Sequence, residues 1–165
     1  MIPEPYFPLY PPDVEICGGS PNLYPCRFEN GFVPTLEDLE ERVNSSTVAI
    51  LYNFPSNPTG GNVNPEQRDE LVEFAKRNDL WIISDEVYDR IVYDVPHVSF
   101  IGAGYDKVIM VQSFSKTFAM TGWRIGYLLS PDQQAMEQLT KMQYYVTACS
   151  NDAMQHAVLE ALENA

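Results

Sequence analysis

Histidine and cysteine are scarce, and their spacing removes several chemistries at once. The chain has two histidines, His97 and His156, and three cysteines, Cys17, Cys26 and Cys149. The histidines are far apart and lack neighbouring ligand residues, so no metal site is expected and both read as surface or helix-face positions. The cysteines form no CxxC pair and are odd in number, which predicts free thiols in a reducing cytoplasm and excludes a disulfide framework. No apolar run approaches the roughly 20 residues of a membrane span. The opening MIPEPYFPLYPPD lacks both the basic and the apolar regions of a secretory signal. Basic side chains are also few: 10 Lys and Arg against 23 Asp and Glu leave a formal charge of −13. That balance repels nucleic acid and anionic membranes, so neither is expected as a partner.

What remains is a soluble, core-forming chain. Hydrophobic residues make up 45% and charged residues 20% of the 165 positions, which suits one ordinary globular domain. No internal repeat, linker or low-complexity segment divides it. Short β-rich runs at Val14–Cys17, Thr47–Asn53, Leu80–Ser84, Lys107–Gln112 and Ile125–Leu129 alternate with helical periodicity. This alternation predicts an α/β fold with a mostly parallel sheet, and the continuous apolar runs predict strands covered on both faces.

The helices have recognisable starts. Thr35 caps LEDLEERV, with Asp38 in its first turn. Asn64, Pro65 and Gln67 form an N-cap, a first-position proline and a capping-box partner for a helix through ELVEFAKRN. Ser130, Pro131 and Gln133 repeat that device for a helix with Ala135, Leu139, Met142 and Val146 on one face. A last helix follows Asn151. Met136, Met142 and Met154 read as core filler, and the prolines before Asp13 predict an extended or irregular lead-in.

Four polar motifs stand at strand ends, where an open parallel sheet gathers its ligands. Asn57-Pro58-Thr59-Gly60 follows the first central strand and offers an amide on a fixed turn, although such a segment can equally be a turn and nothing more. Asp85-Glu86-Val87-Tyr88 follows LWIIS; Asp85 can cap a helix or hold a cationic ring nitrogen, with Tyr88 on the same side. Ser113-Phe114-Ser115-Lys116 follows VIMVQ, and the small and apolar stretch after it would desolvate Lys116 into an imine-forming nucleophile. Thr121-Gly122-Trp123-Arg124-Ile125-Gly126-Tyr127 leads into the last strand; Arg124 suits either a structural ion pair or a phosphate, to which Ser113 and Ser115 would add hydroxyl donors.

In order and spacing, the series NPTG, DEVY and SFSKTFAMTGWRIGY resembles the large domain of fold-type I pyridoxal-phosphate aminotransferases, the class I/II or aspartate aminotransferase superfamily. The resemblance runs from Pro3 over nearly the whole chain. It implies a three-layer α/β/α fold with a mostly parallel sheet, residues 1–165 forming part of the large, cofactor-binding domain. It also implies pyridoxal 5′-phosphate as cofactor, amino acid and 2-oxo acid as substrates, and a homodimer. Lys116 then resembles the lysine that holds the cofactor as a Schiff base and shuttles the proton. Asp85 resembles the carboxylate on the pyridine nitrogen, and Asn57 and Tyr88 the pair on the ring's phenolic oxygen. Ser113, Ser115 and Arg124 resemble the phosphate anchors, and Asn57–Pro58 is expected to be cis. The catalytic set implied is Lys116, Asp85 and Tyr88.

The same resemblance predicts that segments before and after this chain are missing, including a phosphate-binding turn, a ring-stacking aromatic and the arginine for the substrate carboxylate. Exposed strand edges, self-association or rearrangement of roughly the first 30 residues would follow. Two other readings stay open on the residues alone: a carbon–sulfur lyase of the same fold, and a non-catalytic fragment or regulatory module.

Overall fold

A computed structural model describes residues 1–164. Strands β3 (Ala49–Asn53), β4 (Trp81–Asp85), β5 (Val108–Ser113) and β6 (Gly126–Leu129) form one sheet in that order. The first three are parallel and β6 runs antiparallel to β5, so the chain is α/β with a mixed, mostly parallel sheet. Two short parallel strands, β1 (Ile2–Glu4) and β2 (Leu23–Pro25), pair with each other. They dock on the β3 edge, where the Leu51 N–H donates to Met1 O at 3.0 Å and the Tyr24 hydroxyl to Leu51 O at 2.6 Å.

The apolar runs bury alternate residues. Ile50 and Tyr52, Ile82 and Ser84, and Val108, Met110 and Gln112 face one side and are buried. There Ile50, Tyr52, Ile82 and Val108 meet Leu71, Val72, Phe74 and Ala75 of helix α3 (Pro65–Arg77) in one core cluster. Tyr52 stacks on Phe100 with ring centroids 5.0 Å apart. Leu51, Ile83, Ile109 and Val111 point the other way and are only half-buried. Helix α1 (Tyr10–Ile16) lies on that side, its Val14 sharing a groove with Leu51 and Ile83. Both faces are thus covered, the α3 side more fully than the other.

Local signals succeed where the physics is local. Asn64 and Gln67 close a reciprocal capping box on α3, and the Thr35 hydroxyl accepts from the Asp38 N–H at the start of α2 (Leu36–Glu40). That helix stops at Glu40, short of Val43. Val14–Cys17 is no strand: Val14 to Ile16 end α1 and Cys17 caps it, because prolines in the first turn pre-set the helical φ and outweigh the β-like composition. Asp132, rather than Ser130, caps helix α5 (Gln133–Thr147), accepting from the Ala135 N–H at 2.9 Å. The α5 stripe is only half-covered: Ala135 and Leu139 are partly buried, Leu139 lining a groove with Val111 and Leu128, whereas Met142 and Val146 are exposed. Met142 is thus not core filler, and Met136 and Met154 are only partly buried. Helix α6 (Asp152–Asn164) follows Asn151 as expected and sends Val158 into a second cluster with Phe114 and Ile125. All three cysteines are free thiols.

The β5–β6 ladder is unusually close at one point. A Cβ on Gly126 would lie 2.4 Å from Gln112 O and 3.2 Å from Ser113 Cα, both backbone atoms. Gly126→Ala therefore forces the strands apart. It should cost about 1–3 kcal/mol, read in a melting curve as about 2–4 °C per kcal/mol.

Candidate active site

Strands β3, β4 and β5 end on one edge at Asn53, Asp85 and Ser113. Because β6 is antiparallel, it begins on that edge, with Gly126 opposite Ser113. Arg124, two residues earlier, is delivered to the place where the other motifs terminate. All seven residues singled out by sequence thus stand at one sheet edge.

Asn53 organises the first loop. Its buried side chain accepts from the Asn57 N–H at 2.7 Å and donates to Asp85 O at 3.1 Å, tying the β3 loop to the end of β4. The Asn57–Pro58 bond is cis, as expected. The Asn57 amide then donates to the Tyr88 hydroxyl at 3.3 Å, and Lys116 Nζ stands 5.6 Å from the centroid of the Tyr88 ring. Asn57, Tyr88 and Lys116, from three separate motifs, therefore meet.

Lys116 lies in the short helix α4 (Phe114–Thr117), capped by Ser113, whose Oγ accepts from the Ser115 N–H at 3.1 Å. Phe114 and Ser115 are buried, but Lys116 is exposed. The expected desolvation of this lysine is a correction: the apolar residues after it turn into the cluster with Val158, away from its amine. Arg124 adopts a left-handed backbone conformation and is exposed, and its Nη1 donates to Thr121 O at 2.9 Å rather than to either serine. The fork of five N–H donors keeps most of its capacity for a ligand.

Asp85 is mostly buried and paired at this edge. Burial pushes its carboxyl above the ordinary aspartate range, opposed by hydrogen bonds from the Tyr10 hydroxyl at 2.6 Å and the Val87 N–H at 3.3 Å. Burial, with Asp85 beside it, pushes the Tyr10 phenol well up in turn. Tyr10→Phe should therefore raise the Asp85 carboxyl further, since it removes the stronger of two bonds to the charged form. A pH titration of the Asp85 side-chain carboxyl by NMR reads this shift, and an unchanged midpoint would refute it.

Sequence reasoning missed Tyr10, Asn53, Glu86 and His97. The first-turn prolines after Tyr10 were the one available sign that α1 starts there. His97 is corrected from a surface residue to a mostly buried one, its Nε2 2.8 Å from Glu86 Oε2. No cluster of three or more metal-ligating side chains occurs among the described residues, and no helix of the described chain is long and apolar enough to cross a membrane.

Known proteins share the sequence and the backbone of this chain. Aspartate aminotransferase of Thermotoga maritima is 38% identical over 99% of this chain and 44% of its own length. Aromatic-amino-acid aminotransferase 2 of Thermococcus litoralis is likewise 38% identical, over 99% of this chain and 43% of its own. The crystal structure of an aromatic aminotransferase from Pyrococcus horikoshii superposes with a TM-score of 0.93 at 36% identity, covering 99% of this chain and 44% of that one. The chain thus spans less than half the length of these relatives. Residues 1–165 match the sequence model of aminotransferase class I and II, and the chain belongs to that family.

Proposed function

We propose that this chain carries the cofactor-binding part of a pyridoxal-phosphate-dependent aminotransferase, which moves an amino group between an amino acid and a 2-oxo acid. The observation that supports it most is the meeting of Asn57, Tyr88 and Lys116 beside Asp85 at one sheet edge.

The donor set fits an aldehyde-bearing, phosphorylated pyridine. Asp85 is a desolvated carboxylate whose two oxygens are oriented by Tyr10 and Val87, a setting in which a cationic ring N–H is the natural partner. The Asn57 amide and Tyr88 hydroxyl form a linked pair of donors for a phenolic oxygen. Ser113 and Ser115 offer hydroxyls and Arg124 a planar fork, the combination suited to a phosphate dianion. When bound, pyridoxal phosphate supplies an aldehyde that reacts with primary amines and a ring that withdraws electrons from the attached substrate carbon.

The protein's own part is binding and proton management. Lys116 supplies the primary amine that anchors the cofactor and, when free, takes the proton from the substrate α-carbon and returns it. Asp85 keeps a proton on the ring nitrogen, without which negative charge at that carbon would lose its stabilisation. Tyr88 and Asn57 fix the ring beside the lysine.

The test is covalent. The chain is mixed with pyridoxal phosphate, reduced with borohydride and mapped by peptide mass. A pyridoxyl adduct concentrated on Lys116 is expected; adducts spread evenly over Lys76, Lys107, Lys116 and Lys141 would defeat the assignment.

A further inference from the structure

Glu86 has no part in the chemistry above, yet its carboxylate is 2% exposed and collects three hydrogen bonds. They come from Ser84 Oγ at 2.8 Å, His97 Nε2 at 2.8 Å and the Phe100 N–H at 3.0 Å. Burial alone would raise the carboxyl, but the bonds from His97, Phe100 and Ser84 together hold it below the ordinary glutamate range. Sinking a carboxylate this deeply is costly. The cost extends to His97, whose Nδ1 is buried with no partner among the described residues.

The position of the bonds accounts for the carboxylate. Glu86 starts the irregular segment that carries Tyr88, and His97 and Phe100 end it, so the side chain clamps the segment at its base. The backbone continues the connection. Glu86 O accepts from the Asp89 N–H at 3.0 Å, forming the turn that presents Tyr88, and from Gln112 Nε2 at 2.9 Å. Gln112 Oε1 in turn accepts from the Ser113 N–H at 2.8 Å, at the start of the turn bearing Lys116. One continuous chain of hydrogen bonds thus runs from the Tyr88 segment to the lysine turn through Glu86.

We propose that Glu86 is a positioning residue: acting through His97, the Phe100 backbone and Gln112, it sets the placement of Tyr88 relative to the Ser113–Lys116 turn without touching cofactor or substrate. The labelling part of the test rests on the proposed function; the hydrogen-exchange part does not.

In the full chain, Glu86→Ala, Glu86→Gln and a core control, Val72→Ala, are compared well below their melting temperatures. In Glu86→Ala, amide exchange at Asp89, Phe100 and Ser113 should quicken about tenfold and Lys116 labelling by limiting pyridoxal phosphate should slow about tenfold. Glu86→Gln, which keeps an acceptor for the Phe100 N–H, should recover most of both. Val72→Ala should lower stability and leave both readings near wild type, as a merely structural role for Glu86 would also do. Unchanged exchange at those three amides, or labelling no slower than in Val72→Ala, overturns the proposal. If the unsubstituted chain takes no label at Lys116, the function reading fails and the exchange result alone decides. If Glu86→Ala does not fold, His97→Ala, which removes one of the three bonds, is judged by the same readings.

Discussion

Lys116→Ala should melt within about 4 °C of the unsubstituted chain and yet take up no borohydride-reducible pyridoxal phosphate at the strand-end site. The two halves of this result have separate causes. Lys116 is exposed, and its one notable contact is its place over the Tyr88 ring, 5.6 Å from the centroid. Such a contact is worth about 0.5–1 kcal/mol, within the usual range of surface substitutions. Covalent capture, by contrast, needs a primary amine in that place. The other lysines stand elsewhere: Lys107 precedes β5, at the opposite end of that strand from Lys116, and pairs with Asp79, and Lys76 pairs with Glu73 in the last turn of α3. Calorimetry and peptide mapping on one sample check both halves. Undiminished labelling of a single other lysine would transfer the role to that residue.

Asp85→Asn should move stability and binding in opposite directions. Burial raises the Asp85 carboxyl above its ordinary 3.8, so the folded chain protonates this group before the unfolded chain does. Between 3.8 and the raised value the folded state binds more protons, and stability falls as pH rises through that window. Above it the full penalty of a buried charge persists. Asparagine has the same shape, carries no charge, and can keep both partners by accepting from the Val87 N–H and donating to the Tyr10 hydroxyl oxygen. The variant should therefore melt higher at pH 7, and its advantage should vanish below 3.8, where aspartic acid is neutral in both states. Affinity for pyridoxal phosphate should drop by about 10–100-fold, the value of a charge-assisted hydrogen bond. Melting curves at several pH values and a binding titration measure the two effects. A variant that melts lower at pH 7 would contradict the desolvation argument.

Much of this site is readable in one dimension because its parts are local signals. NPTG, DEVY and SFSK each follow an apolar run, and a parallel sheet brings the ends of such runs together whatever lies between them. The capping box of Asn64 and Gln67 is equally local. What escapes has partners far along the chain or in segments without period. Tyr10 reaches Asp85 across 75 positions from a proline-rich stretch whose helical start is easily taken for irregular structure. His97 meets Glu86 across a segment with neither helical nor strand periodicity. Lys116 shows the opposite limit: the apolar composition around it suggested burial, but composition does not say which way a short turn faces. The same holds for α5, whose apolar stripe has the right spacing yet leaves Met142 and Val146 exposed.

The antiparallel β6 has a consequence for the order in which the site assembles. Ser113 and Ile125, bridged at 3.4 Å, are only 12 positions apart, so the lysine and arginine belong to a segment closed by its own neighbours. Asn57 finds Tyr88 across 31 positions and Tyr10 finds Asp85 across 75. Short-range closure costs less chain entropy and is the faster step. During folding the turn bearing Lys116 can exist before Asp85 has met Tyr10. Under the proposed function, holding the cofactor would in this sense be regional, whereas activating it would belong to the completed fold.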